Sequence, residues 1–318
     1  MNERKAVPRW ADLASLVRAP AALSVPGDVL VGATAAGRPL GLRTAGVMAS
    51  SVCLYWAGMA LNDYADAAVD SVERPERPIP SGRVPRRTAL SVATGLTAAG
   101  LGLAGLSGGR RGLAAALPLT ALVWAYDLKL KSTPAGPAAM AGARALDVLA
   151  GAVAGGGKVP APASGGGAGT ARALGRAAVP ALLTGLHTYT LTLLSRHEIS
   201  GAPARLPAAT LAVSSATAVA GAWPLGRSAR STPRRAAAGT AVAAAGALAY
   251  LGTYGRAQAL AVRDPRGGTV RRAVGAGIMA MVPLQTALTA RGGAPAAAAV
   301  LGAVHPLALR LARRVSPT

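Results

Sequence analysis

Residues 61–87 read LNDYADAAVDSVERPERPIPSGRVPRR and follow directly on an apolar run. They hold five carboxylates and five arginines. Asp63, Asp66 and Asp70 stand at offsets 0, 3 and 7. On a helix of 3.6 residues per turn those offsets fall within about 60° of one another, so the three share one face, and Glu73 extends the stripe. Carboxylates so placed repel unless a cation lies among them. Hard divalent ions, Mg²⁺ above all, suit such oxygen donors and commonly bridge to phosphates. The same residues also read as an acidic helix end neutralised by Arg74, Arg77 and Arg83 in solvated ion pairs.

The surroundings of this stretch decide the fold class. The chain has 318 residues, 52% of them apolar and only 14% charged, against about 25% charged in soluble domains. Apolar runs of roughly 20 residues recur, as a bilayer-spanning helix requires. We expect one all-α integral-membrane domain over residues 1–318, a polytopic bundle of nine to ten helices in the cell's inner or plasma membrane. The candidate spans are 19–37, 43–61, 88–106, 112–126, 136–155, 173–194, 204–225, 236–255, 270–290 and 294–311. Residues 1–17 lack the apolar core of a secretory signal. Trp10, Leu13, Leu16 and Val17 are spaced for one face of a short interfacial helix on the cytoplasmic side. Residues 155–172, GGGKVPAPASGGGAGTAR, read as a flexible loop on the opposite side.

The net charge of +22 does not indicate nucleic acid, because the basic residues lie in short groups between apolar runs. With ten spans and an internal N-terminus, 21 Lys and Arg fall inside and 12 outside, with Arg144 within a helix. That bias places the acidic loop in the cytoplasm. The single cysteine, Cys53, lies in an apolar run and rules out an intrachain disulfide.

NDYADAAVD followed by ERPERPIPSGRV resembles the aspartate-rich motif of the UbiA-type intramembrane prenyltransferase superfamily, which also follows the second span and leads into an RPIPSG-like segment. The resemblance implies a UbiA-like bundle. It further implies Mg²⁺ held by Asp63, Asp66 and next Asp70 against the diphosphate of an isoprenyl donor. Asn62 would touch metal or diphosphate, and Arg77 and Arg83 would pair with its oxygens. A second match, YDLKLKSTPAGPAAMAGARALDVLAG at 126–151, resembles the family's Tyr–Lys element. It makes Tyr126 and Lys131 candidates for diphosphate contact, with Lys129 behind them. Its YDxxLK…GPxAM…RxL pattern resembles a bacterial branch related to the ebo-cluster prenyltransferases.

Arg144 and Asp147 lie inside the next span, and an intramembrane charge by default suggests a cavity, which makes Arg144 a further candidate for diphosphate contact; an i,i+3 structural pair is the other reading. Asp28, in the first span, either lines the cavity or is solvated at a helix end. Where the superfamily carries a second acidic motif, LHTYTLTLLSRHEISG at 186–201 offers only Glu198, beside Arg196 and His197. Glu198 is then a lone metal ligand with Arg196 on the diphosphate, or the segment is a polar loop. His187 reads as a satisfied intramembrane histidine, and Trp56, Trp124 and Tyr189 as cation shields or as packing.

The activity so implied is Mg²⁺-dependent prenyl transfer to an unidentified small or lipophilic acceptor, with Asp63, Asp66, Tyr126 and Lys131 as the catalytic set. An intramembrane terpene cyclase and a non-catalytic lipid-binding or transport protein stay open.

Overall fold

The computed structural model describes residues 8–154, 166–223 and 232–315. Among them every regular element is helical. A short helix α1 (Trp10–Leu16) and a 3₁₀ turn (Ala19–Ser24) lead into α2 (Val25–Ala35), α3 (Leu42–Glu73) and α4 (Arg86–Ala125). After a π-turn (Tyr126–Leu130) come α5 (Gly136–Ala154), α6 (Gly166–Ser195), α7 (Arg205–Ala222) and α8 (Pro233–Tyr250). A second π-turn (Leu251–Gly255) precedes α9 (Arg256–Arg263), α10 (Gly267–Arg291) and α11 (Pro295–Val315). Each expected span coincides with one of these helices or with one arm of a broken helix. Six helices among the described residues are long and apolar enough to cross a bilayer. The chain is an integral-membrane helical bundle.

Two boundaries differ from the sequence reading, and a third is as expected. Residues 166–172, expected as loop, already form the first turns of α6, while 155–165 lie outside the described residues. α3 continues without a break through the acidic stretch to Glu73. The spans expected at 88–106 and 112–126 are two arms of α4, parted at Gly109 with φ 59° and ψ −145°. That left-handed conformation suits a residue without Cβ. The arms then approach so closely that a Cβ at Gly112 would stand 2.1 Å from the Ala104 carbonyl oxygen.

The bundle is organised around α10. Its apolar window is 78% buried within the protein, whereas the windows of Arg86–Leu130 and Pro233–Arg263 are 22% buried and turn mostly toward lipid. α10 packs on α2, α6, α7, α8 and α11. The larger core joins Val31, Val148, Leu183, Tyr250, Leu284 and Leu288. A second core joins Leu54, Ala104, Leu119 and Ala143 across α3, α4 and α5. α2 and α5 link the halves through glycine: a Cβ on Gly32 would lie 1.7 Å from the Val148 carbonyl, and one on Gly151 2.2 Å from that of Val29. Small residues permit such close backbone approach between membrane helices.

At the N-terminal edge Leu16 is fully buried but Trp10 is 87% exposed, so α1 does not bury all four residues expected on one face. With Leu13, Ala14 and Val17, Trp10 lines an apolar groove of about 500 Å³ whose other wall is Trp56, Val92 and Leu96. Trp56 therefore faces this groove, and Trp124 donates from its indole nitrogen to Thr97 at 3.1 Å.

Gly151→Leu is expected to force α2 and α5 apart, at a cost of about 1–3 kcal/mol or more. A lowered thermal midpoint of the purified protein in detergent, with Gly252→Leu (open space around its Cα) as the unaffected reference, checks this.

Candidate active site

The acidic face is carried by the last three turns of α3. Asp63 and Asp70 are buried there, and Asp66 is about a quarter exposed. The helix stops at Arg74, whose φ of −145° leaves the helical region just before Pro75. The link to α4 folds back on itself: Arg77 N–H donates to the Arg74 carbonyl, Ser81 N–H to Arg77 and Val84 N–H to Pro78. Gly82 supplies the positive φ this turn needs, and Val84 anchors it at 0% exposure. A proline-rich link so pinned holds Arg77 over the face it has just left.

The result is an interleaved set of charges. Arg77 Nη1 lies 2.6 Å from Asp70 Oδ2 and 3.5 Å from Asp63 Oδ1. Arg18 Nη2 donates to the same Asp63 oxygen at 2.8 Å. Lys131 Nζ stands 2.5 Å from Asp66 Oδ1. Each acidic side chain thus has its own cation, and the repulsion expected along the stripe is offset pair by pair.

The π-turn after α4 forms the facing wall. Asn62 Nδ2 donates to Asp127 Oδ1 at 3.3 Å, joining α3 to this turn. Tyr126 is half-buried within electrostatic reach of Asp66, Asp127 and Arg196. π-turns are frequent at functional sites because they re-aim side chains within a helix. Here the turn brings Lys131 to Asp66. The exposed Lys129 takes no part in these pairs.

The fold thus brings together Asn62, Asp63, Asp66, Asp70, Arg77, Tyr126 and Lys131. It adds two residues that went unassigned. Arg18 links α1 to the 3₁₀ turn with φ 46°, a left-handed conformation uncommon outside glycine. Asp127 is 3% exposed and held by Asn62.

Four other expected site residues have their contacts elsewhere in this structure. Arg83 does not join the acidic face: it bonds Asp12 at 3.1 Å, Ser81 at 2.9 Å and the Glu76 carbonyl at 2.6 Å, fastening α1 to the 74–85 link. Arg144 pairs neither with diphosphate-binding residues nor with Asp147. It reaches across to Asp28 at 3.0 Å, and Asp28 also accepts from Gln285 of α10 at 2.7 Å. Asp147 instead accepts from Ser51. Arg196 donates to the Lys131 carbonyl at 3.0 Å and to that of Thr133, so it straps the wall segment in place. Glu198 is half-buried opposite Arg271 and Arg74, with burial pushing its carboxyl above the usual range. Both arginines lie within electrostatic reach of Glu198, and among the described residues it forms no three-carboxylate group with Asp63 and Asp66.

His187 is fully buried and its Nδ1 lies 3.0 Å from the Tyr250 hydroxyl. Tyr189 is 39% exposed at the bundle surface.

The donor set suits Mg²⁺ in the mode that ion prefers. Among the described residues no three His, Cys, Asp or Glu side chains gather as a ready-made cage. Mg²⁺ is usually held by one or two carboxylates, with water and substrate phosphate completing the shell. Asp63 and Asp66, one turn apart with the more exposed Asp66 at the rim, meet that requirement once their basic partners turn to a phosphate.

Fold and charges together define a membrane-embedded helical protein with an anion-and-cation site at one end of its bundle. A model of the UbiA prenyltransferase family matches residues 25–261, and the chain belongs to that family. Digeranylgeranylglyceryl phosphate synthase of Methanopyrus kandleri is 46% identical over 108 residues, 33% of this chain and 39% of the relative. The enzyme of that name from Ignicoccus hospitalis is 41% identical over 120 residues, 37% of this chain and 38% of its own length. The matched stretches therefore span under two fifths of these curated relatives. In fold, the chain is similar to an apo structure of a UbiA homolog from Aeropyrum pernix K1, with TM-score 0.62 and 20% identity over 83% of this chain and 96% of that one. It is also similar to a chain from a study of digeranylgeranylglyceryl phosphate synthase in membranes, with TM-score 0.58 and 16% identity over 89% and 98%.

Arg77→Ala leaves Asp63 with one cation and Asp70 with none, and loss of one partner of a buried pair costs about 3–5 kcal/mol. We expect a clearly lowered melting midpoint, with part of the loss recovered in the double variant R77A/D70N, where the stranded charge is removed.

Proposed function

We propose that the protein transfers a prenyl group from an isoprenyl diphosphate donor to a lipid-like acceptor within the membrane, with Mg²⁺ at Asp63 and Asp66. The observation that carries this reading is the convergence of Arg18, Arg77 and Lys131 on the carboxylates of one helix face. Such a set offers a diphosphate its cations and a metal its oxygens at the same place. Bound there, Mg²⁺ would supply positive charge to the diphosphate oxygens.

The chain's own residues act by exchanging partners. Arg18, Arg77 and Lys131 turn from carboxylates to diphosphate oxygens, where guanidinium forks and the ammonium form charge-assisted hydrogen bonds. As the carbon–oxygen bond to the prenyl group breaks, negative charge grows on the departing diphosphate, and cations already fixed beside it stabilise that change. The prenyl carbon then bonds to the acceptor nucleophile, whose proton passes to the released diphosphate. Arg196 holds the wall bearing Tyr126 and Lys131, and Asn62 ties that wall to α3 through Asp127. The apolar bundle below keeps water from the cationic carbon and accommodates the prenyl tail.

The curated relatives are named for a product containing a glyceryl phosphate and prenyl groups, which favours a lipid-like acceptor here. The resemblance of residues 126–151 to the ebo-cluster branch bears on the same choice of acceptor. The excess of basic residues on the Asp63 side, 21 against 12 in the loops, favours a cytoplasmic active site.

Asp63→Ala and Asp66→Ala are each expected to lower Mg²⁺-dependent diphosphate release from prenyl diphosphates in membranes by at least about a hundredfold. Product mass from incubation with donors of several lengths and a lipid extract identifies the acceptor. Full activity in both variants would overturn the site assignment.

A further inference from the structure

The far end of the bundle holds charges that the acidic site does not use. A cleft of about 820 Å³ opens there between the end of α2, the start of α6, the α7 and α8 ends and the end of α10. Arg176, Arg235 and Arg291 line it together with Val179, Pro180 and Trp223. Nε and Nη1 of Arg291 are shielded from solvent yet donate to no acceptor among the described residues. A guanidinium so placed forfeits its hydration without a hydrogen bond in return, which is costly unless an anion is the partner.

No carboxylate is at hand to serve. Residues 29–62, 148–197, 199–263 and 265–318 contain no Asp or Glu, and every segment forming this end falls within them. By contrast the acidic end balances its arginines with Asp63, Asp66, Asp70 and Glu198. The three arginines of the cleft therefore lack any internal counter-charge. Arg176 and Arg235 are exposed at its mouth, and Arg291 lies deeper, in the last turn of α10. Arg176, Arg235 and Arg291 line the one cleft from three separate helices, and planar guanidinium forks are the side-chain groups best matched to the oxygens of a phosphate. The lip is apolar, with Val179 at 45% and Trp223 at 67% exposure, as suits a position at the membrane–water boundary.

We infer that this cleft is a phosphate-binding site, occupied at the membrane surface by the phosphate headgroup of an anionic lipid. The proposal is independent of the transfer reaction, since none of the three arginines belongs to the acidic site.

Purified full-length protein in detergent is to be tested by thermal unfolding and by native mass spectrometry. The probes are phosphatidylglycerol, phosphatidylcholine and inorganic phosphate. Phosphatidylglycerol is expected to raise the midpoint and remain bound, and phosphatidylcholine to do neither. R291Q is expected to remove that shift. R176Q/R235Q, which changes only exposed side chains and keeps the fold intact, is expected to weaken lipid retention by about tenfold. An equal, arginine-dependent shift with inorganic phosphate supports the same chemistry and assigns the site to free phosphate. Equal shifts with both lipids, a shift unchanged in both variants, or a shift lost instead in K131Q would each overturn the assignment.

Discussion

The feature on which the site depends is the burial of Asp63 and Asp70 on one helix, which obliges cations to come to them. Two carboxylates out of water are tolerable only when paired, and with the partly exposed Asp66 they draw partners from three separate parts of the chain. Arg77 returns from the proline-rich link, Arg18 arrives from the N-terminal edge, and Lys131 reaches Asp66 from the turn after α4. Each pair pins a different element to α3. The charges that the proposed function turns toward a diphosphate are therefore the same ones that assemble the site. A residue here cannot be changed for chemistry alone, which is why stability and activity must be measured together.

Much of this could be read from the residues because it is local. The aspartate stripe follows from a 3.6-residue period, and the prolines and Gly82 mark the turn that returns Arg77 to it. The spans were legible from apolar length, including the two arms of α4, although their junction at Gly109 looks like an ordinary loop until the chain is seen to reverse there. From Gly166 the same glycine-rich composition suggested loop where the chain is already helical.

What was not legible depends on contacts between distant segments. Arg18 meets Asp63 across 45 residues, and nothing nearby in the chain signals its left-handed backbone. Asp127 stood in plain view inside YDLKLK, but its burial is a property of the π-turn. Arg144 offered a tempting partner three residues away and took Asp28 on another helix instead. Glu198 makes the same point: the sequence puts Arg196 beside this lone carboxylate, while the fold adds the fields of Arg271 from α10 and Arg74 from the end of α3.

The short helix at the N-terminal edge ties the bundle's flank to its charged end. Its residues form one wall of the apolar side groove, and Arg18, two positions past its end, holds Asp63. The left-handed bend at Arg18 is the joint between the two. Any change in how α1 seats on α3 and α4 is therefore carried to Asp63 through that one residue.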